Sequence, residues 1–140
     1  MNRRRRRISV AAAAAVVSAL FAGPGRAQEM MGTDVLLKDA RFRAGFAAAL
    51  GASAKERWIA ALSNSGPVIE VRADGETWLQ ATPCKPHDCA ENNLLLLYSR
   101  TSGDVTGVLH AKGRHAPVGS PSPALAAAME KMWKKEFRQQ

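Results

Sequence analysis

Residues 94–98 read Leu-Leu-Leu-Leu-Tyr, an unbroken apolar run bounded by polar turn residues on both sides. It is too short for most helices, and its flanks stop it from growing into one. The run therefore reads as a buried central strand of a sheet. The rest of the chain must supply neighbours for that strand and cover for its side chains.

The segments on either side provide both. Val68, Ile69 and Val71 lead into Ala73-Asp74-Gly75, a turn signal, and then Thr77-Trp78-Leu79-Gln80, which together predict a β-hairpin. Ser102-Gly103-Asp104 turns into a fourth strand from Val105 to His110, while the Pro- and Gly-rich stretch from Lys112 to Pro123 reads as a connector with one short edge strand near Val118. Before the sheet, Leu36, Phe42, Phe46, Ala49 and Leu50 recur at three- and four-residue steps, which predicts one helix from Thr33 to Ala52. Ser53-Ala54-Lys55-Glu56 matches a capping box opening a second, short helix that carries Trp58, Ile59 and Leu62. After the sheet, Ser122 and Pro123 open a last helix with Leu125, Met129, Met132, Trp133 and Phe137 on its apolar face, and with lysines and Arg138 towards its C-terminal end. The methionines and Trp133 are expected to be core packing.

The first 27 residues have a different character. Arg3 to Arg7 form a basic block, Ile8 to Ala22 carry no charge, and Gly25 and Ala27 fit positions −3 and −1 of a cleavage site. This is the layout of a secretory signal cleaved after Ala27, and the arginines are compatible with either the general or the twin-arginine export route. An apolar stretch of 15 residues is shorter than the roughly 20 that span a bilayer. No Cys stands at the cleavage point, which argues against a lipoprotein. The leader also changes what the charge means. The whole chain carries a formal +8, but six of its 20 Lys+Arg lie in residues 1–27, leaving 14 against 12 Asp+Glu, a net of +2. A surface for nucleic acid or another polyanion is therefore not expected. Residues 28–140 are long enough for a single modest core.

Export sends the only two cysteines to an oxidising compartment, where a disulfide is the default. They bound the hexapeptide Cys84-Lys85-Pro86-His87-Asp88-Cys89. A ring of six residues contributes only about 2 kcal/mol to global stability, so a bridge here shapes a local loop. Pro86 fixes its own φ and restricts Lys85, which stiffens the loop, and a stiff polar loop loses little entropy on docking. The plainer reading is a tight turn with a solvated histidine. A metal site fits poorly, because zinc ligands converge from separate segments. A redox dithiol prefers two intervening residues where this loop has four. Hydrolytic chemistry would need a nucleophile beside His87 and Asp88, and none stands there. Neither a cofactor nor an enzymatic activity is expected.

The hexapeptide resembles the signature loop of the Ivy family, inhibitors of vertebrate lysozyme found in the periplasm of Gram-negative bacteria. The similarity extends over the helix with Phe42 and Phe46, the Trp58 region, the strand before the loop and the strand from Asn92 to Ser99. The resemblance implies an α/β (α+β) sandwich: a central antiparallel sheet of about five strands flanked by helices, with a protruding loop closed by Cys84 and Cys89. It further implies that the loop enters the cleft of c-type lysozyme and that His87 reaches the catalytic carboxylates. Asp88 would hydrogen-bond within or beside the cleft, and Lys85 and Pro86 would set the shape of the loop. The chemistry agrees, since a histidine between two carboxyl groups can make charge-assisted hydrogen bonds to both. A target other than host lysozyme, such as the cell's own lytic transglycosylases or another cell-wall factor, is the alternative. The resemblance is compatible with a monomer or a homodimer. His110 and His115 have no partner visible in the sequence and read as solvated or locally bonded. Lys112, Arg114 and His115 are candidates for a basic rim.

Overall fold

The leucine run is the middle strand of a five-stranded antiparallel sheet, in a computed structural model that describes residues 30–139. The signal segment and its cleavage point lie outside the described residues. The strands are β1 (Ile69–Ala73), β2 (Glu76–Ala81), β3 (Asn93–Tyr98), β4 (Val105–Ala111) and β5 (Arg114–Val118), in spatial order β1-β2-β3-β4-β5. All six residues of β3 are buried.

Period-two alternation along β3 explains the two cores. Leu94, Leu96 and Tyr98 pack with Phe42, Phe46, Leu50, Trp58 and Ile59 on one side of the sheet. Leu95 and Leu97 point the other way and pack with Leu125, Met129 and Trp133. Full burial of a leucine stabilises by about 1.5–3 kcal/mol, so this one strand anchors both layers. The result is a sandwich, with helices α1 (Thr33–Lys38), α2 (Ala40–Leu50) and α3 (Arg57–Ala60) on one face and α4 (Pro123–Phe137) on the other. No helix among the described residues is long and apolar enough to cross a membrane.

Two hairpins have two-residue turns with both residues at positive φ: Asp74 and Gly75 at 48° and 75°, Lys112 and Gly113 at 54° and 73°. That is the geometry whose twist matches antiparallel strands, and it favours glycine in the second position. The first was legible as Asp-Gly. The second, Lys112-Gly113, was not, and the short edge strand expected near Val118 runs from Arg114 to Val118, paired from Gly107↔Val118 to Ala111↔Arg114. Pro117 is accommodated because β5 is the outer strand of the sheet, the place proline suits.

The N-terminal region needs two corrections. The helix expected from Thr33 to Ala52 breaks at Asp39, whose backbone is extended and whose carboxylate accepts from the N–H groups of Arg41 and Phe42. The same carboxylate accepts from the Tyr98 hydroxyl at 2.8 Å. That bond holds Asp39 below the usual carboxylate range. Asp39 thus ends one helix, caps the next and ties both to β3. The expected capping box does not form. Gly51–Lys55 is a 3₁₀ helix, and Glu56 stands at the N-cap of α3 without a side-chain cap. The Glu56 carboxylate instead pairs with Lys112. The C-terminal helix begins as expected, with the Ser122 hydroxyl accepting from the Leu125 N–H.

Candidate functional site

The loop that joins β2 to β3 carries the hexapeptide. Strand pairing does not stop at the end of β2, because Cys84 forms one more bridge with Asn93, the first residue of β3. Cys84 is buried there, and its N–H donates to the Ser63 carbonyl at 2.9 Å. Past this anchor the chain leaves the body of the domain, and Lys85, Pro86 and His87 are all exposed. Cys84 and Cys89 are disulfide-bonded, with their Cα atoms 4.9 Å apart.

The crosslink is one of several restraints. The Lys85 N–H donates to the Asn92 carbonyl at 2.9 Å, Asp88 N–H to the Lys85 carbonyl at 3.0 Å, and Asn92 N–H to the Asp88 carbonyl at 3.0 Å. The Asn92 side-chain amide donates to the Asp88 carboxylate at 2.7 Å, which lies 3.8 Å from the Lys85 ammonium. His87 sits between these fastened residues at φ 65°, in the left-handed region. Non-glycine residues enter that region at a cost of about 1–2 kcal/mol. The surrounding bonds over-determine the turn and leave His87 exposed.

Each predicted loop residue is therefore accounted for. Cys84 and Cys89 close the ring, Asp88 is turned inward against Asn92 and Lys85, and Pro86 and His87 form the exposed tip. The Asp88 carboxylate is bonded to Asn92 within the loop and remains half-exposed. Among the described residues, no group of three or more His, Cys, Asp or Glu side chains is placed to hold a metal ion.

The surroundings contain what the sequence did not reveal. His110 and His115 are cross-strand neighbours on β4 and β5, with ring centroids 5.4 Å apart, and both pack on Trp133. His115 is paired with Glu130 at 2.8 Å rather than merely solvated. His110 is mostly covered, and burial, then the charges of Arg138 and His115, push its pKa down. The suggested basic rim is largely neutralised, since Lys112 pairs with Glu56 and His115 with Glu130. Asn92 and Asn93 emerge as structural keys to the loop. A signal for Asn93 was present: an asparagine opening a run destined for burial must find partners for its amide.

A family model described as Inhibitor of vertebrate lysozyme (Ivy) matches residues 41–139. The protein named Inhibitor of vertebrate lysozyme from Pseudomonas aeruginosa is 32% identical over 83 residues, which cover 58% of this chain and 54% of that relative. The chain thus aligns with about half the length of the curated relative it matches.

Proposed function

The chain belongs to the Ivy family, inhibitors of vertebrate lysozyme, and from that membership we propose that it is a periplasmic, non-enzymatic inhibitor of c-type lysozyme. Residues 1–27 serve as its secretory signal, and residues 28–140 form the single inhibitory domain. The loop from Cys84 to Cys89 enters the active-site cleft and His87 occupies the space between the catalytic carboxyl groups.

The observation that carries this reading is the state of the loop. Its tip is exposed, while its limbs are held by a crosslink, three backbone hydrogen bonds and the Asn92–Asp88 bond. An element ordered before it meets its partner spends little of its interaction energy on ordering, which is how inhibitors of enzyme clefts gain affinity. Lysozyme cleaves its glycan between two carboxyl groups. An imidazole donating to both displaces substrate by occupancy and by charge-assisted hydrogen bonds. The action needs neither metal nor cofactor.

The test is a turbidity assay of cell-wall lysis, run with c-type lysozyme and separately with a lytic transglycosylase. The expected outcome is stoichiometric arrest of c-type lysozyme that His87→Ala abolishes while the melting temperature stays within a few degrees. Arrest of the transglycosylase alone would overturn the proposed target. Full inhibition by His87→Ala would overturn the role of the histidine. His87→Gly sharpens the assay, since it relieves the left-handed conformation and removes the imidazole, so it should be slightly more stable and inactive.

A further inference from the structure

The loop has a second fastening, and it lies on a helix some forty residues away in sequence. Asn93 is fully buried at the start of β3. Its side-chain nitrogen donates to the carbonyls of Cys89 at 2.7 Å and Ala90 at 3.3 Å. Its side-chain oxygen accepts from the Trp133 indole N–H at 2.7 Å. An indole nitrogen can only donate, so this bond fixes which way the amide faces. Arg138, at the C-cap of α4, donates to the same Ala90 carbonyl at 3.1 Å and lies 4.5 Å from the centroid of the Trp133 ring. Two carbonyls at the far limb of the loop are thus held by one buried amide and one guanidinium, and a single indole contacts both.

Packing alone does not call for this arrangement. The apolar face of α4 needs bulk at position 133, which phenylalanine would also provide. The nitrogen adds a buried donor matched to a buried acceptor, and removing one leaves the other unsatisfied. Such a network is retained or lost as a unit. The indole itself is held in place by the rings of His110 and His115, at 5.4 and 4.3 Å, and His115 is in turn tied to Glu130 on the same helix.

We propose that Trp133, acting through Asn93, and Arg138 are positioning residues for the inhibitory loop. They set where Cys89 and Ala90 leave the sheet, and hence the direction in which His87 is presented. The proposal rests on the inhibitory reading of the loop, and none of the three residues belongs to its tip.

The test compares Trp133→Phe and Arg138→Ala with Leu125→Ala, which removes packing from the same helix beside Ser122, at the end that bonds Asp74 rather than the loop. Three quantities are measured: dissociation of the complex with c-type lysozyme, the melting temperature, and hydrogen exchange of the Asp88 and Asn92 amides. Trp133→Phe should speed dissociation about tenfold and accelerate loop exchange, the effect of stranding one buried acceptor. Arg138→Ala should act in the same direction by a few-fold, with the melting temperature unchanged because the side chain is exposed. Leu125→Ala should lower the melting temperature at least as far as Trp133→Phe yet leave dissociation and loop exchange as in the wild type. Unchanged dissociation and exchange in Trp133→Phe and Arg138→Ala, or equal changes in Leu125→Ala, would overturn the proposal. A wild-type protein that fails to bind lysozyme would defeat the inhibitory reading instead, and loop exchange would still decide whether Trp133 and Arg138 position the loop.

Discussion

Opening the Cys84–Cys89 bridge separates its contribution to the fold from its contribution to the loop. The double variant Cys84→Ala, Cys89→Ala removes the crosslink with little change of volume. The bridge closes a ring of six residues, its ends five positions apart. Loop-closure entropy for so small a ring amounts to about 2 kcal/mol of global stability. In a domain of this size that corresponds to a fall in melting temperature of roughly 10 °C at most. The effect on the loop is worked from its own restraints. Without the crosslink, residues 85–88 depend on the Lys85–Asn92, Asp88–Lys85 and Asn92–Asp88 backbone bonds and on the Asn92 side chain. Fixing four residues costs about 1 kcal/mol each at the low end of the range. Four hydrogen bonds return about 0.5 kcal/mol each at the low end of their range. The remaining 2 kcal/mol or so would have to come from docking, which weakens inhibition about 30-fold. The assay is titration of lysozyme activity at 25 °C, where both forms are folded, alongside thermal melts followed by circular dichroism. An unchanged inhibition constant would refute the reasoning. So would a loss of inhibition that merely tracks the unfolded fraction, since the bridge would then be structural only.

Three other outcomes follow from the fold. Phe42→Ala should cost about 3–5 kcal/mol in urea denaturation, because the ring is fully buried and packs 5.3 Å from those of Phe46 and Tyr98; a loss below about 1 kcal/mol would contradict that packing. Gly107→Ala drives a Cβ into the Leu95 carbonyl oxygen, across the β3–β4 ladder. Backbone must shift to admit it, so the variant should unfold at markedly lower urea or fail to accumulate folded, and near-wild-type stability would show that the two strands are farther apart. The third concerns pH. Burial foremost, with Arg138 and His115, holds the folded pKa of His110 below its ordinary value, so the unfolded chain takes up this proton first, near pH 6.5. That component of stability is present above about pH 6.5 and is lost as the pH falls towards the folded pKa. Melting temperatures from pH 8 to pH 5 should decline less steeply in His110→Gln than in the wild type, and parallel curves would exclude the mechanism.

Features written in local composition were legible from the sequence. The leucine run, the Asp74-Gly75 turn, the Ser122-Pro123 helix start and the hexapeptide are each short and self-contained, and each stands where expected. The failures share one physical cause. Asp39 breaks a good helical stripe because Tyr98, far along the chain, offers a hydroxyl to its carboxylate. Glu56 abandons a local capping box for Lys112. The strand expected near Val118 extends back to Arg114 through pairing with β4, and His115 finds Glu130 only once that hairpin and α4 are assembled. In the candidate site the residues at the tip were legible, whereas the tethers that orient them were not. Asn93 and Trp133 meet across forty positions of chain, and no local pattern encodes that distance.

The suspension of the loop from β3 has a practical corollary. The strand at its root is sealed on both faces, while the segment between the cysteines contributes only exposed or half-exposed side chains. Between Cys84 and Cys89 the domain therefore behaves as a cassette holder. The first three positions can be rewritten without touching either core or the Asn92–Asp88 bond, provided the third still tolerates the left-handed turn that His87 adopts. Asparagine or glycine there would suit a library best, and such libraries would make this small sandwich a display frame for probing enzyme clefts.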